Sequence, residues 1–439
     1  MHFKIHRGAN EIGGTCVEVW TDTTRIIIDF GMPLVNPDRT PFDERETEKR
    51  TTAELVEAGI LPDIPSMYQD NSITALLISH AHKDHYGFID RINKSCKVWM
   101  GYATHLLIEL TNTFGDKPCL ENVNYFEHDK EFIIGDITIH PYLMDHAAFD
   151  AYAFLIKSNG KSLLYSGDFR LHGRKAKIFD WFKYNIEKNT DYLLLEGSSL
   201  GRTYKPFPTE DELENNFLET FKQTRGITLI FVSGQNIDRL ITIYRACKRS
   251  NKTLLIDFYI ANVLKTLHTK VNNKIPYPNS AFPEIKVYYP RFLTKRMSDM
   301  GKKAETIYPF TAFKIGRDKI NELAEKLVMI VRPSTRYDLE HFLNKYEDGC
   351  FIYSMYEGYK DQPGKIKNFL DFISVKGMPI KYKDFHTSGH ADFNGLKNMV
   401  EAVEPKNLVP IHTFEGDKYN EYFPNVKVRR VADKEEVKM

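Results

Sequence analysis

A ten-residue stretch, residues 78–87, constrains the fold and chemistry of this chain more than any other part of the sequence. It reads ISHAHKDHYG and places four candidate metal ligands within six positions: His80, His82, Asp84 and His85. The apolar run before it predicts a buried strand, and alternation along a strand lets His80 and His82 project to the same side. Nitrogen and oxygen ligands packed this closely favour a site for two cations. The alternative is a solvated histidine-rich loop that binds metal only adventitiously.

The HxHxDH spacing of this stretch resembles the metal-binding motif of the metallo-β-lactamase fold. The resemblance implies a hydrolase with a metal site. Because one fold serves many chemistries, the substrate has to be predicted from the rest of the chain.

Length, charge and cysteine usage limit the class of protein. A chain of 439 residues predicts two or three domains. Its net charge is +1, so a nucleic-acid site would have to be a local basic groove. The five cysteines include no CxxC pair, the first residues show no secretory signal, and no long apolar stretch occurs. We therefore expect a soluble cytoplasmic protein without a membrane span.

Further acidic and histidine residues follow apolar strands at the points where those strands end. Asp29 would either accept a hydrogen bond from a metal-ligating histidine or cap a turn. Asp168 comes after Gly167, which allows a sharp turn, and its carboxylate has two oxygens with which to bridge two cations. Glu196 and His412 follow strands of the same form, so both are site candidates.

A third histidine for the first metal is less strongly indicated by the sequence. His146 lies in a loop between two predicted strands, and His128 and His140 compete for the role. We prefer His146 because it precedes the strand that the metallo-β-lactamase fold places after its third ligand.

A second domain is predicted from about residue 204, where strands and helices begin to alternate as in a parallel α/β layer. Site candidates lie on both sides of it, so it is interpreted as an insertion. Basic and aromatic residues in it predict a wall for a single-stranded polynucleotide, with an ordinary solvated surface as the alternative. These residues are Arg291, Lys295, Arg296, Lys302, Lys303, Lys314 and Arg317, with Tyr288, Tyr289, Phe292, Tyr308, Phe310 and Phe313.

The segment after the insertion, residues 384–392, reads DFHTSGHAD and precedes a predicted helix over 393–403. Ser388 and Gly389 would offer backbone N–H groups to a phosphate at the helix start. Together with the inserted domain, Glu196 and His412, this segment resembles the β-CASP branch of the metallo-β-lactamase fold, and within it ribonuclease J and the mRNA 3′-end cleavage factors.

The resemblance covers essentially the whole chain and implies an α/β fold. A metallo-β-lactamase αββα sandwich would comprise residues 1–203 and 365–439, and a parallel α/β β-CASP domain would be inserted at 204–364. The chain ends soon after His412, so we expect neither the C-terminal oligomerisation domain of ribonuclease J nor a KH-type extension. An oligomer is left open.

Site roles carried over from the resemblance divide into metal ligands, catalytic residues and phosphate contacts. One zinc ion would be held by His80, His82 and His146, the other by Asp84, His85 and His412, with Asp168 bridging them. The catalytic residues would be Asp84, His390 as general acid, and Glu196 positioning His390. The phosphate contacts would be His386, Ser388 and Gly389.

The implied function is hydrolysis of RNA phosphodiester bonds, in RNA processing or decay, by water activated between two Zn²⁺ ions, with Mn²⁺ as the alternative metal. His412 matches the branch members that act on RNA, since the DNA-repair members have an apolar residue there. The alternatives are a DNA nuclease of the same branch, a non-catalytic RNA-binding paralogue, and a hydrolase of a small ester or thioester.

Overall fold

The computed structural model describes residues 1–69, 75–202, 205–301, 306–344, 346, 348–362 and 364–439. By their internal contacts these residues form two compact units. Unit 1 comprises Met1–Ile108, Leu120–Pro206 and Gly389–Met439, and unit 2 comprises Glu109–Cys119 and Phe207–Ser388. The predicted boundary at 203/204 and the predicted Lys302 and Lys303 contacts lie outside the described residues. The three predicted domain ranges therefore remain a proposal.

Nineteen strands lie in the described residues, most of them short and buried. They are β1 (His2–Arg7), β2 (Cys16–Trp20), β3 (Arg25–Ile28), β4 (Ala75–Ile78), β5 (Lys97–Gly101), β6 (Val123–Phe126), β7 (Phe132–Ile134), β8 (Ile137–Met144), β9 (Ala151–Ser158), β10 (Lys161–Tyr165), β11 (Tyr192–Glu196), β12 (Thr228–Phe231), β13 (Thr253–Asp257), β14 (Ile285–Tyr288), β15 (Leu327–Val331), β16 (Cys350–Tyr353), β17 (Ile380–Lys381), β18 (Leu408–Ile411) and β19 (Glu436–Lys438).

Fifteen α-helices accompany these strands in the same described ranges. They are α1 (Arg45–Glu48), α2 (Thr52–Glu57), α3 (Pro65–Tyr68), α4 (Lys83–Tyr86), α5 (Tyr102–Gly115), α6 (Ile178–Asn185), α7 (Glu210–Gln223), α8 (Ile237–Arg249), α9 (Phe258–Lys270), α10 (Arg291–Asp299), α11 (Arg317–Glu322), α12 (Arg336–Phe342), α13 (Lys365–Val375), α14 (Phe393–Val403) and α15 (Tyr419–Tyr422). Among the described residues, no helix has both the length and the apolar character that crossing a bilayer requires.

Unit 1 is built on two mixed sheets. Their strand orders are β19-β1-β2-β3-β4-β5-β6 and β18-β11-β10-β9-β8-β7. Side chains from both sheets, among them Ile28, Leu77, Tyr152 and Leu194, form one shared apolar core. Side chains of α6 and α14, such as Phe182 of α6, share a second core with strands of the second sheet. The arrangement agrees with the predicted α/β sandwich.

Unit 2 contains one six-stranded sheet, in the order β14-β13-β15-β12-β16-β17. Every strand pair in it is parallel. The strands β12, β15 and β16 are buried along their whole length, as expected where helices cover both faces of a parallel sheet. The alternation of strand and helix in the sequence had predicted this parallel layer.

The predicted basic and aromatic wall of unit 2 is wrong at two positions. Tyr288 and Phe310 are only 2% and 1% exposed, because β14 and a 3₁₀ turn direct them into the interior. Phe292 and Tyr308 are each 58% exposed and are available at the surface.

Two groups of parallel strands in unit 1 determine where the candidate site lies. The strands β3 and β4 run in parallel in the first sheet. In the second sheet β10, β11 and β18 run in parallel, although the larger part of unit 2, Phe207–Ser388, lies between β11 and β18 in the chain. Residues that follow the carboxyl ends of these strands are therefore brought to one edge of each sheet.

Candidate metal centre

The short helix α4 carries two of the predicted ligands, Asp84 and His85, and backbone hydrogen bonds fix its position. Phe30 N donates to His85 O at 2.7 Å, and Thr15 N donates to Asp84 O at 3.2 Å. A Cβ atom on Gly31 would lie 1.7 Å from Asp84 O. Only glycine permits this close approach of the two backbones.

Three groups of side chains in unit 1 present their ligand atoms within 4.8 Å of one another. The groups are His80, His82 and His146; Asp84, His85, Asp168 and His412; and Asp168, Glu196 and His390. All of these side chains are buried except those of His82 and His390, which are partly exposed. The seven predicted ligands, the predicted acid and its partner thus converge in one unit, from segments more than three hundred residues apart.

Asp168 lies at the middle of the three groups. Its Oδ2 atom is 3.1 Å from His85 Nε2, and 3.8 Å from the Nε2 atoms of His80 and His412. Gly167 directly before it has φ +55°, and a Cβ atom there would lie 2.5 Å from Tyr152 O. The sharp turn predicted for this glycine is therefore present and points Asp168 into the centre.

A buried carboxylate, Asp29, orients His85 from outside the centre. Its Oδ2 atom lies 2.8 Å from His85 Nδ1 and accepts a hydrogen bond from Tyr165 Oη at 2.7 Å. Ser79 donates to the same carboxylate through its backbone N at 2.7 Å and through Oγ at 2.8 Å. Asp29 therefore contacts the candidate ligand His85, as its position at the end of a strand suggested. The contact is made to Nδ1 of His85, so Nε2 is left directed toward Asp168.

Hydroxyl groups hold two other histidines in the same way. Ser79 Oγ lies 3.0 Å from His80 Nδ1, and Thr15 Oγ1 lies 2.8 Å from His412 Nδ1. His412 also has a left-handed backbone with φ +52°, and its N–H donates to Gly8 O at 2.7 Å. A left-handed conformation is costly for a histidine and is typically retained where surrounding structure and function require it.

The surroundings keep the first group of histidines neutral and Asp168 charged. Burial and the neighbouring histidines hold the pKa values of His80 and His146 well below the ordinary value. Burial alone would raise the pKa of Asp168, but His412 and His85 outweigh it and hold that pKa well below its usual range. Neutral imidazoles and an ionised carboxylate are the forms that bind metals.

The third group pairs His390 with a buried acid. His390 Nδ1 lies 3.4 Å from Glu196 Oε1 and 3.7 Å from Asp168 Oδ2. Glu196 is itself held by the backbone N–H groups of Ser198 at 2.9 Å and Ala391 at 3.4 Å. Burial lowers the pKa of His390, but Glu196 and Asp168 outweigh it and raise the pKa to about 9. The imidazole of His390 is thus protonated at neutral pH.

The predicted phosphate contacts lie at the point where the chain passes between the units. His386 and Ser388 belong to unit 2, whereas Gly389 belongs to unit 1, where a Cβ atom on it would lie 3.2 Å from His146 Cε1. Helix α14 begins at Phe393 as predicted, and Asp392 caps it by accepting from Gly395 N at 2.8 Å. The contact of these residues with a phosphate stays a proposal.

Several atoms of the centre have no hydrogen-bond partner in the described part of the chain. They are the buried atoms His80 Nε2, His146 Nδ1, Asp168 Oδ1 and His412 Nε2. Buried polar atoms without a partner are rare and call for an explanation such as a missing ion. Imidazole nitrogens and carboxylate oxygens at these spacings fit divalent transition metals, so the residues present fit a metal site.

Residues that position the ligands were missed by the sequence analysis. Ser79 directly precedes His80 and Tyr165 lies three residues before Asp168, so their nearness to the motifs was an available signal. No local signal connects Thr15 with His412, since 397 positions separate them.

Fold and site together define a candidate metal centre, and models of two known domains match parts of the chain. A β-lactamase superfamily domain model matches residues 60–201, and a Zn-dependent metallo-hydrolase RNA specificity domain model matches residues 377–419. These matches confirm the resemblance inferred from the motifs, because residues 60–201 are similar to a β-lactamase superfamily domain and residues 377–419 to an RNA specificity domain.

Ribonuclease J proteins are among the curated relatives. The chain is 22% identical over 426 residues to ribonuclease J of Helicobacter pylori, covering 92% of this chain and 55% of that protein. It is 24% identical over 444 residues to the RNase J-like protein of Methanocaldococcus jannaschii, covering 95% and 92%. The chain thus spans about half the length of the first of these relatives and nearly all of the second.

A solved structure shares the fold over its full length. A protein of unknown function from Enterococcus faecalis V583 superposes with a TM-score of 0.78 at 22% identity, covering 99% of both chains.

Proposed function

We propose that this chain is a metal-dependent ribonuclease that hydrolyses phosphodiester bonds in RNA. The observation that carries the proposal is the convergence of seven candidate metal ligands, six of them around Asp168; four of the seven have a buried atom without a hydrogen-bond partner in the described part of the chain. The RNA specificity domain match at residues 377–419 and the ribonuclease J relatives support RNA as the substrate.

The residues divide into two proposed cation sites. His80, His82 and His146 would hold one divalent cation, and Asp84, His85 and His412 a second, with Asp168 between the two. The predominance of imidazole favours Zn²⁺, and Mn²⁺ is the alternative. Bound cations would supply Lewis-acid activation of a water molecule and stabilise charge on the phosphate oxygens.

His390 is the proposed general acid. It is protonated at neutral pH because Glu196 and Asp168 face it, and a partly exposed imidazole can reach a substrate. It would transfer its Nε2 proton to the departing ribose oxygen, while Glu196 holds Nδ1. Asp84 is the proposed third catalytic residue, and His386, Ser388 and Gly389 would contact the phosphate.

Cleavage assays with the full chain test this proposal. Single-stranded RNA and DNA of the same sequence, with a 5′-phosphate or a 5′-hydroxyl, are incubated with protein that has been stripped of metal and then reloaded with Zn²⁺ or Mn²⁺. We expect cleavage of RNA that depends on metal, and loss of cleavage in Asp84→Ala and Asp168→Ala. Asp22→Ala replaces an exposed aspartate of the same unit and is the matched control.

Each alternative outcome contradicts a separate part of the proposal. Preferential cleavage of DNA would contradict the substrate, binding of RNA without cleavage would contradict the activity, and full activity in Asp168→Ala would contradict the metal centre. Circular dichroism of each variant shows whether the fold is retained. A cytoplasmic location and a single-stranded substrate are part of the same proposal.

A further inference from the structure

A surface cavity of about 600 Å³ in unit 1 has no role in the proposed chemistry. Its walls are formed by Asn10, Arg39, Phe414, Asp417, Arg430, Val431, Ala432 and Glu435. Small-molecule sites have volumes of about 300–1,000 Å³, so a single nucleotide would fit.

Two lining residues of the cavity belong to chain segments that also position His412. Phe414 lies two residues beyond His412, so at most about 7 Å of chain separates their Cα atoms. Asn10 belongs to the loop whose Gly8 O accepts from His412 N at 2.7 Å and whose Gly13 N lies 3.4 Å from His412 Nδ1. The segments that carry Phe414 and Asn10 therefore position both the cavity and His412.

One wall of the cavity is an arginine stacked on an aromatic ring. The guanidinium carbon of Arg39 lies 4.8 Å from the ring centroid of Phe414. Arg39 is at the tip of a tight turn, where its own N donates to Asn36 O at 2.8 Å and Asn36 N donates to Thr40 O at 2.8 Å. The turn gives Arg39 a φ of +66° and holds an exposed side chain over the ring. The exposed side of this pair is a flat surface suited to stacking.

The opposite wall presents hydrogen-bonding groups in a fixed arrangement. Arg430 Nε donates to Asp417 Oδ1 at 3.0 Å, and its Nη2 donates to Asn10 Oδ1. Arg430 Nη1 is buried, so the guanidinium group holds Asn10 and Asp417 in place and is not itself a free donor to the cavity. The amide of Asn10 and the carboxylate of Asp417 thus supply the donor and the acceptor of this wall.

The charge of the lining distinguishes between the two ends of a nucleotide. Arg39 and Arg430 are balanced by Asp417 and Glu435, so the lining is formally neutral. A phosphate would meet two carboxylates as well as two guanidinium groups, whereas a nucleobase is neutral, planar and carries both donors and acceptors on its edge. A cavity with a stacking wall and a mixed polar wall favours the base.

We propose that this cavity, defined by Arg39, Phe414 and Arg430, binds the base of the nucleotide adjacent to the scissile phosphate. The inference rests on the proposed ribonuclease function and extends it by naming a base subsite. The base stacks on the Arg39–Phe414 pair and its edge faces Asn10 and Asp417, which Arg430 holds in place. A base in this position is unstacked from its neighbours and unpaired, so the subsite selects single-stranded RNA.

An abasic scan of the full chain tests the subsite. A set of labelled single-stranded oligoribonucleotides, each lacking the base at one position, is titrated by fluorescence anisotropy in the presence of a chelator that prevents hydrolysis. Because stacking on an aromatic side chain is worth about 1–3 kcal/mol per base, we expect one abasic position to weaken binding to the wild type about tenfold.

Variants of the stacking wall should abolish this sensitivity. The Phe414→Leu and Arg39→Gln variants should bind the oligonucleotide that has all its bases about tenfold more weakly than the wild type does. Removing the base at the sensitive position should then cause no further loss of affinity in these variants. Arg39 is exposed at a turn, so its variant retains the fold even if Phe414→Leu does not. Arg45→Gln, at an arginine whose side chain is 75% exposed and bonded to Asp43, is the matched control and should bind as the wild type does.

Two results would overturn the subsite, and they differ in what else they contradict. If the wild type binds and cleaves RNA but no single abasic position weakens binding, or if Phe414→Leu and Arg39→Gln keep the wild-type dependence, only the subsite is wrong. If the wild type neither binds nor cleaves RNA, the proposed function fails together with it. In turnover assays the subsite variants should raise KM with little change in kcat, because the base contact is made before and during the chemical step.

Discussion

Replacing Asp29 with asparagine tests whether a buried carboxylate behind His85 sets the metal affinity of the centre. The side chain is fully buried and accepts hydrogen bonds from Ser79, at both N and Oγ, and from Tyr165, besides its contact with His85. Its backbone is left-handed with φ +59°, a conformation that asparagine adopts readily. Asp29→Asn therefore changes the charge and one oxygen while the backbone and volume stay nearly the same.

The magnitude follows from the distribution of donors around the two oxygens. Oδ2 faces Ser79 Oγ, Tyr165 Oη and His85 Nδ1, whereas Oδ1 faces only Ser79 N. The amide would keep its oxygen at the Oδ2 position and place its NH₂ group against the backbone N–H of Ser79. One buried charge-assisted hydrogen bond is replaced by two opposed donors, and we expect the free energy of unfolding to fall by about 1–3 kcal/mol.

The metal affinity should fall as well, because the partner of His85 loses its negative charge. Loss of the partner behind a ligating histidine typically lowers metal affinity about 10–100-fold, and we expect an effect of this size for Asp29→Asn. Competition between the protein and a chromophoric chelator for Zn²⁺ measures the affinity, and urea denaturation of the metal-free protein measures the stability.

Tyr165→Phe separates the two effects. It removes one donor to Asp29 but keeps the carboxylate charge, so it should cost about 1 kcal/mol of stability and leave the metal affinity within about threefold of the wild type. The reasoning is refuted if Asp29→Asn binds Zn²⁺ as tightly as the wild type, or if Tyr165→Phe weakens binding as strongly as Asp29→Asn.

Three further substitutions test other parts of the structure. Because His390 must be protonated to act as an acid, RNA cleavage should decline as the pH rises through the pKa of His390. Glu196→Gln should move this decline to lower pH in a pH–rate profile. An unshifted profile would contradict the pairing of His390 with Glu196. Gly31→Ala should displace helix α4 and lower both stability and metal content, because its Cβ atom would lie 1.7 Å from Asp84 O; normal metal content would contradict this. Arg239→Ala should lower the free energy of unfolding, measured by urea denaturation, by about 3–5 kcal/mol. The reason is that the buried carboxylate of Glu210 would lose both of its hydrogen bonds from the Arg239 guanidinium group, at 3.0 Å each. A loss below about 1 kcal/mol would contradict this.

The positions of the site residues could be predicted because each follows a recognisable strand. Asp168, Glu196 and His412 lie at the carboxyl ends of β10, β11 and β18 or within three residues after them, and these three strands are neighbours in one sheet. An apolar run that ends in a polar residue marks such a position locally. That the three ends meet is not a local property, and the sequence analysis predicted it only through the resemblance to a known fold.

The orientation of these residues could not be predicted in the same way. His412 depends on Thr15 and on a left-handed backbone, which no pattern around His412 indicates. The prediction of a basic and aromatic wall in unit 2 was wrong at two positions for a related reason. The mixture of basic and aromatic residues does not show which side chains point into the interior, and Tyr288 on a strand and Phe310 in a 3₁₀ turn are both buried. Local sequence specifies strand ends well and specifies contacts over hundreds of residues poorly.

Asp168 connects the proposed metal sites with the proposed acid. Its Oδ2 atom lies 3.1 Å from His85 Nε2 and 3.7 Å from His390 Nδ1, and its charge is one of the causes that raise the pKa of His390 to about 9. A cation bound at Asp168 would neutralise part of that charge, so His390 should titrate at a lower pH in the metal-loaded protein. A pKa closer to neutral makes a general acid more effective, because the protonated form stays populated while the proton is released more easily. Nuclear magnetic resonance titration of the His390 ring with and without Zn²⁺ measures this difference, and equal pKa values in the two states would show that Asp168 does not couple the cation sites to the acid.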